Sequence, residues 1–277
     1  MPLWRGAGVD VVEWRIGDFD VRDDAATRRA IADARPDVVV HAAAYTAVDR
    51  AETEPDTAMA VNRDGTANVC EACHEAGSRL VYLSTDYVFD GSARAPIAPG
   101  TPVAPLGAYG RSKAEGERVV RDRAVDWLMV RAGWLFGPGR DTFVSLMRDA
   151  AEARRPVTVV HDLVGAPTST AFVAEALWGL VAKGERGVWH LAPRGSASWL
   201  DVAREVFAQV GAPGDLVTPC TAAESGRAAR RPAFTVLDTS RTERALGTTF
   251  PAWQRDVRAF AGSGRVPGLG LIAPEAT

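Results

Sequence analysis

The sequence RLVYLSTDYVFDG, residues 79–91, is an apolar run followed at once by polar and turn-forming residues. A continuous apolar run of this length is typical of a parallel strand that is buried on both faces. Similar runs, DVVVHAAA at 37–44 and WLMVRA at 127–132, precede and follow it in the chain. Segments with helical spacing separate these runs, at about 23–34, 49–76 and 108–124. This alternation predicts an α/β fold with a doubly wound parallel sheet.

The composition narrows the class of protein. The 277 residues are 47% hydrophobic and 24% charged, and the net charge is −3, so neither nucleic acid nor an anionic membrane is an expected partner. No run approaches the ~18 apolar residues of a membrane span. Three cysteines, an odd number, do not form a disulfide framework. We therefore expect a cytoplasmic globular protein.

The second half of the chain continues the pattern and suggests two domains. It predicts helices at about 141–153, 170–182 and 198–210, with strands at 156–160 and 187–192. We assign residues 1–131 and 160–192 to a dinucleotide-binding domain. Residues 132–159 and 193–262 then form a smaller substrate domain, and the Gly- and Pro-rich residues 263–277 form a flexible tail.

One face of a predicted helix carries residues suited to proton transfer. Tyr109 and Lys113 are four residues apart at the start of this helix, so their side chains lie one turn apart on the same face. A lysine ammonium there would lower the pKa of the tyrosine by favouring the phenolate. Thr85, at the end of the strand before it, is placed to hydrogen-bond the same substrate oxygen. Together they predict protonation of a carbonyl oxygen as hydride arrives.

Seven stretches of the chain resemble the extended short-chain dehydrogenase/reductases, and within them the dTDP-4-dehydrorhamnose reductases. They are RPDVVVHAAAYTAVDRAE, VNRDGT, LSTDYVFDG, AYGRSKAEGE, RAGWLFG, VGAPTST and RRPAFTVLDTSR, in family order over about residues 9–245. AAAYTAVDRAE and STDYVF are specific to this branch. The resemblance implies a Rossmann-like fold with a smaller C-terminal substrate-binding region. It also implies NAD(P)H-dependent reduction of the 4-keto group of a dTDP-4-dehydro-6-deoxy-L-hexose, as in dTDP-L-rhamnose biosynthesis.

The resemblance also assigns roles to individual positions. By position, the catalytic residues are Thr85, Tyr109 and Lys113. The implied cofactor-binding residues are Asp20, Val21, Ala42, Ala43, Ala44 and Asn62, together with Tyr109 and Lys113. The implied substrate-binding residues are Thr46, Val48, Tyr87 and Trp134, together with Thr85. No metal ligand is implied.

Departures from the family pattern lie in the substrate half of the chain. Gly133 stands where the family has a hydroxyl residue before the tryptophan, and Leu163 stands where it has a glutamine. A related deoxyhexose therefore fits as well as rhamnose. The sugar-nucleotide 4,6-dehydratases follow the threonine with Asp-Glu, because eliminating water needs an acid and a base. Here Asp86 is followed by Tyr87, which argues against dehydration.

The first residues, MPLWRGAGVDVVEWRIGDFDVRD at 1–23, resemble the end of a helix, a glycine turn and a strand at 9–14. In the family, a first strand and a G-x-x-G-x-x-G loop precede this unit, and the loop holds the cofactor's pyrophosphate. We therefore expect a sheet that lacks its first strand and glycine loop, or a gap filled by another segment. Arg15, with no acid beside it at the end of the second strand, favours NADPH over NADH.

Two functions remain open at this point. The first is an NAD(P)H-dependent reductase. The second is a non-catalytic regulatory or binding protein of the sugar-nucleotide fold that has lost its cofactor loop, as in the regulatory subunit of methionine adenosyltransferase. The retained Thr85, Tyr109 and Lys113 favour the reductase. The expected partners are a dTDP-deoxysugar and a second copy of the chain in a homodimer.

Overall fold

The computed structural model describes residues 2–15 and 17–271, with side chains from Trp4 onward. The strands, in chain order, are β1 (Val38–His41), β2 (Arg79–Thr85), β3 (Trp127–Ala132), β4 (Leu135–Phe136), β5 (Val157–Val160), β6 (Val164–Gly165), β7 (Thr168–Ser169), β8 (Gly187–His190), β9 (Ala197–Ser198) and β10 (Val217–Cys220). The α-helices are α1 (Pro2–Arg5), α2 (Asp24–Ala34), α3 (Pro55–Met59), α4 (Gly65–Ala76), α5 (Ala108–Arg123), α6 (Phe143–Glu152), α7 (Thr170–Ala182), α8 (Trp199–Val210), α9 (Ser240–Leu246) and α10 (Trp253–Ser263).

The predicted parallel sheet is formed in the order β1-β2-β3-β8. Its register pairs Thr85 at the end of β2 with Ala132 at the end of β3. Because parallel strands end at the same edge of a sheet, the polar residues that follow β1, β2 and β3 are brought together there. The α/β fold class is confirmed.

Both faces of the sheet are covered, as the continuous apolar runs require. On one face, Val81, Leu128 and Val130 pack against α7. On the other face, Leu80 and Met129 pack against α2, α4 and α5. Helices on both faces of a parallel sheet are the doubly wound arrangement that the sequence predicts.

The predicted helical segment at 49–76 is present, but it is not one helix. A 3-10 turn at Arg50–Glu52, the short α3 and a π-helical turn at Ala60–Asp64 precede α4. The segment ends where the sequence indicates, at Gly77, whose φ of 69° is a left-handed conformation that favours glycine. The π turn places Asn62 against α5, so the distortion has a local purpose.

The predicted strand at residues 9–14 is wrong. These residues make no ladder hydrogen bonds with any other segment that the structure describes. A cavity of about 560 Å³ separates them from β1, which has β2 on its other side. A strand needs a hydrogen-bonded neighbour, and the cavity removes it. The expected gap in the sheet therefore stands beside β1, among the described residues.

A second group of elements carries the C-terminal region. β5 and β10 pair in parallel, and α6, α8 and α10 pack around them in two apolar clusters.

The proposed domain boundaries stay predictions. Part of the predicted flexible tail is packed, because the N–H groups of Leu269 and Leu271 donate to Glu175; residues 272–277 lie outside the described part. None of the helices described here is both long enough and apolar enough to cross a membrane.

Candidate active site

The sheet edge and α5 bring Thr85 and Tyr109 together. Thr85 is the last residue of β2, and α5 begins one residue before Tyr109. The start of α5 is fixed from outside the helix, because the backbone N–H of Ala108 donates to Oε1 of Glu52 at 2.8 Å. Thr85 lies close enough to Tyr109 for its hydroxyl to stabilise the phenolate. The structure therefore brings Thr85 and Tyr109 together, and their part in proton transfer stays a prediction.

The surroundings of Tyr109 hold its phenol in the protonated form. Burial raises the pKa of Tyr109 above its usual value, an effect that Thr85 only partly offsets. The ring of Tyr87 lies edge-on to Tyr109, with centroids 5.7 Å apart. A phenol in these surroundings keeps its proton at neutral pH.

The predicted action of Lys113 on Tyr109 is not seen. The side chain of Lys113 is 2% exposed, and its amine donates to the carbonyl oxygen of Leu83 at 2.8 Å and lies over the ring of Tyr82. Burial lowers the pKa of Lys113 to about 7. The shared helix face is correct, but the amine turns toward the sheet instead of the phenol. With no ammonium beside it, the phenol of Tyr109 has a pKa that burial raises, contrary to the expectation from sequence.

The residues expected to bind the cofactor fall into three settings. Ala42 and Ala43 are exposed after β1, where small side chains leave the backbone accessible, and Ala44 is half-buried. Val21 is half-buried and packs against Gly65, and it lines the same cavity as Ala42 and Ala43. Asp20 is exposed and holds Arg22 in a two-point ion pair.

Asn62 acts as a brace between two segments. Its amide accepts a hydrogen bond from the backbone N–H of Tyr45 at 2.8 Å and donates to the carbonyl oxygen of Tyr45 and to Ser112. These bonds tie the loop after β1 to α5. The side chain is 1% exposed, so the predicted contact of Asn62 with the cofactor stays a prediction.

The residues expected to bind NADPH provide a surface for a ring of that molecule but not a site for its phosphates. Ala42 and Ala43 offer a small, open surface at the cavity beside β1, against which a flat ring can lie. The phosphates have no such cradle among the described residues expected to bind the cofactor. Arg15 and Arg22 lie near Asp20 and Val21 in the chain, but their guanidinium groups are already paired with Glu13 and Asp20.

The residues expected to bind substrate follow three neighbouring strands: Thr46 and Val48 come after β1, Tyr87 after β2 and Trp134 after β3. Thr46 is exposed, and Val48 and Tyr87 are half-buried. Trp134 follows β3 with a left-handed φ of 52°, which is rare for a bulky residue and marks a constrained position. Its ring packs on Gly165, where a side chain would approach within 2.6 Å of the indole.

A large cavity adjoins this region. Its volume is about 810 Å³, and Trp199, Phe143 and Leu146 supply apolar surface. Arg227 and Arg230 line it from the exposed segment before α9, and neither forms an ion pair within the described ranges 2–15 and 17–271. The cavity therefore offers both an apolar surface and free positive charge.

Sequence reasoning missed several of these residues. Arg231 lies in a stretch that carries the resemblance, yet only the fold shows that it binds Asp49, at 2.8 Å, and joins the loop after β1 to the C-terminal region. Trp199 has no signal in the sequence. The sequence uses Asp86 only to argue against dehydration, but the structure buries this residue directly after Thr85.

Comparison with known proteins agrees with this geometry. A family model described as the RmlD substrate binding domain matches residues 3–265. A dTDP-4-dehydrorhamnose reductase from Streptomyces griseus is 41% identical over 246 residues, covering 87% of this chain and 81% of the relative. A dTDP-4-keto-6-deoxy-D-glucose reductase from Streptomyces niveus is 37% identical, with 86% and 83% covered.

A crystal structure of dTDP-4-dehydrorhamnose reductase from Bacillus anthracis in complex with NADP is also similar. It superimposes with a TM-score of 0.87 at 30% identity, covering 93% of this chain and 94% of that one. Sequence and structure thus point to the same group of proteins. The chain belongs to the dTDP-4-dehydrorhamnose reductase family, a family of oxidoreductases.

Proposed function

We propose that the chain reduces the 4-keto group of a dTDP-4-dehydro-6-deoxy-L-hexose with NADPH. The observation that carries this proposal is the pairing of Thr85 and Tyr109 at the carboxyl end of β2, beside Trp134 at the end of β3. A half-buried phenol next to a hydroxyl group is suited to meet one oxygen atom of a substrate. The family relationship supplies the substrate class, since relatives act on dTDP-linked keto sugars by name.

The proton chemistry follows from the surroundings of Tyr109. Bound NADPH would supply the hydride to the keto carbon. The Tyr109 phenol, protonated at neutral pH, donates its proton to the keto oxygen while the Thr85 hydroxyl holds that oxygen in place. Thr85 is buried and Tyr109 is half-buried, which limits water around the developing charge and strengthens these hydrogen bonds.

The large cavity supports a nucleotide-linked substrate. Its volume of about 810 Å³ lies within the usual range for small-molecule sites. Arg227 and Arg230 would meet the two phosphates, because guanidinium groups bind phosphate with paired hydrogen bonds. Trp199 and Phe143 would flank the thymine base or the sugar.

The identity of the sugar is a narrower part of the proposal. Relatives of similar identity are named for two different keto sugars. Gly133 and Leu163 differ from the usual family residues in the half of the chain that binds the sugar. We therefore propose dTDP-L-rhamnose or a related deoxysugar as the product. Cytoplasmic location and a homodimer stay predictions.

A second candidate is a protein that binds the dTDP-sugar without reducing it. The absence of a phosphate cradle among the described residues expected to bind the cofactor favours this alternative. The turn of the Lys113 amine toward Leu83, away from Tyr109, favours it too.

One experiment separates the two candidates. Purified chain is mixed with the dTDP-4-dehydro-6-deoxy-L-hexose and NADPH at millimolar concentration, and NADPH absorbance and the sugar product are followed. Oxidation of NADPH with formation of the 4-hydroxy sugar is expected. Binding of the dTDP-sugar by calorimetry with no loss of NADPH absorbance would overturn the reductase and support the binding protein.

A further inference from the structure

Asp86 is a buried carboxyl group with no cation beside it. It is 3% exposed, yet it forms no ion pair with any residue that the structure describes. The buried carboxyl groups of Glu117 and Asp256 differ in this respect, because Arg131 and Arg255 neutralise them. Burying an unpaired carboxylate is costly, so such a group tends to hold a proton.

A single hydroxyl group links Asp86 to the proton donor of the site. The Thr85 hydroxyl donates to Oδ1 of Asp86 at 3.1 Å, and it also lies beside the Tyr109 phenol. The backbone N–H of Tyr87 donates to the same Thr85 oxygen at 3.2 Å and fixes its position. A hydroxyl group both donates and accepts, so it can pass a proton between its two neighbours.

The place of the Asp86 carboxyl depends on a glycine. A Cβ atom at Gly133 would lie 2.3 Å from the carboxyl carbon of Asp86, far inside contact distance. Thr235 closes the site from the C-terminal region, and its buried hydroxyl makes no hydrogen bond of normal geometry with another described residue. The carboxyl therefore occupies a space that this chain keeps open for it.

We propose that Asp86 is the proton source that restores Tyr109 through the Thr85 hydroxyl during each reduction. Tyr109 gives its phenolic proton to the substrate oxygen. Once the substrate oxygen carries that proton, the Thr85 hydroxyl turns from it and passes its own proton to the phenolate. The Asp86 carboxyl, which accepts from Thr85 when ionised, is the donor when protonated and replaces the proton on Thr85. One proton is transferred in all, and Asp86 is left as a carboxylate that takes a proton from water when the product leaves. This relay rests on the proposed reductase activity.

The charges around Asp86 agree with such a role. Burial raises the pKa of Asp86 to about 6, close to neutrality, and the nearby hydroxyl groups of Thr235 and Thr85 offset part of the rise. The titratable groups that face it are Tyr87 on its own turn and Tyr109 from α5. The positive charges of Arg227 and Arg231, from the C-terminal region, act to lower the pKa of Tyr87.

The test compares Asp86→Asn with Asp90→Asn, an exposed aspartate four residues further along. Turnover is measured from pH 5 to 9 with saturating keto sugar and millimolar NADPH. We expect kcat of the native chain to fall as the pH rises through and above about 6, because Asp86 must carry a proton to donate it. In Asp86→Asn this dependence should vanish and kcat should drop about tenfold or more, with KM nearly unchanged. Asp90→Asn should match the native chain.

A second measurement does not need turnover. Carboxyl titration by ¹³C nuclear magnetic resonance should show one aspartate with a pKa near 6 that is lost in Asp86→Asn and kept in Asp90→Asn. Thr85→Ser should keep the pH profile and Thr85→Val should lose it. A raised KM with an unchanged pH profile in Asp86→Asn would overturn the relay and make Asp86 a sugar-binding group. An Asp86 carboxyl that titrates near the usual aspartate range would also overturn it. No turnover in the native chain would instead overturn the reductase itself, and the relay with it.

Discussion

The indole rings of Trp134 and Trp199 are stacked, with centroids 3.7 Å apart and an interplanar angle of 6°. Trp134 follows β3 at the catalytic end of the sheet, and Trp199 begins α8 in the C-terminal region. The pair lies between the proposed catalytic residues and the large cavity that Trp199 lines. This stack therefore connects the two halves of the proposed substrate site.

Replacing Trp199 with alanine should weaken substrate binding more than catalysis. The change removes one ring of the stack and part of the cavity wall, so we expect KM for the dTDP-sugar to rise about tenfold, since ~1.4 kcal/mol is lost. kcat should change little, because Thr85 and Tyr109 are untouched. Trp14→Ala, at a partly exposed tryptophan away from this cavity, serves as the control. Equal effects of the two substitutions would refute the role of the stack.

Replacing Tyr109 with phenylalanine should lower kcat by ~10²-fold or more, because the general acid is lost. KM for the keto sugar should stay within a few-fold of its native value. Tyr45→Phe is a matched control, since the Tyr45 hydroxyl binds Glu54 instead of the site. An unchanged kcat in Tyr109→Phe would show that another group protonates the substrate.

The chain has one buried lysine, Lys113, and one exposed lysine, Lys183, and comparing them tests how burying a charge affects stability. Burial lowers the pKa of Lys113 to about 7 from its usual value of 10.5, so the native state holds fewer protons than the unfolded state between these two pH values. The free energy of unfolding of the native chain should therefore rise across that window. Below pH 7 the charged amine carries its full cost, and there Lys113→Met should be more stable by roughly 1–3 kcal/mol.

The advantage of Lys113→Met should shrink as the pH rises from 7 toward 10.5. Urea unfolding followed by circular dichroism at several pH values would measure it. Lys183→Met, at the exposed lysine, should follow the native chain throughout. A constant difference between Lys113→Met and the native chain would mean that Lys113 does not titrate in this range.

Replacing Arg227 with alanine should weaken binding of dTDP in the absence of any cofactor. One charge-assisted hydrogen bond to a phosphate is worth about 1.5–3 kcal/mol, so calorimetry should show a Kd raised by at least about tenfold. The dependence of log Kd on salt should also become shallower. Arg204→Ala, at an exposed position on α8 away from the cavity, should bind dTDP normally. Loss of binding in Arg204→Ala alone would contradict the proposed phosphate site.

NADPH should bind the 277-residue chain weakly. The described residues expected to bind the cofactor offer its pyrophosphate no cradle of N–H groups or free cations. The loss of several charge-assisted hydrogen bonds raises Kd by a factor of ~10³, from micromolar toward millimolar. Calorimetric titration of the purified chain with NADPH measures this directly. Micromolar affinity with normal turnover would show that phosphate binding does not need such a cradle here.

Some features of this protein could be predicted from the sequence because they are local. The continuous apolar runs at β2 and β3 require burial on both faces, and a parallel sheet follows from their spacing. Tyr109 and Lys113 share a helix face because helical periodicity places residues four apart on one side. The position of Thr85 at a strand end follows from the switch from apolar to polar residues after Leu83.

Other features were decided only by the tertiary structure, because they depend on neighbours far away in the chain. Residues 9–14 look like a strand, but a strand forms only with a partner, and the cavity beside β1 removes it. The Lys113 amine turns to the Leu83 carbonyl because a buried ammonium takes the acceptor within its reach. The stack of Trp134 on Trp199 and the burial of Asp86 against Gly133 both require packed elements to meet. Local pattern thus determined which elements form, and long-range packing determined the direction and protonation of the groups that they carry.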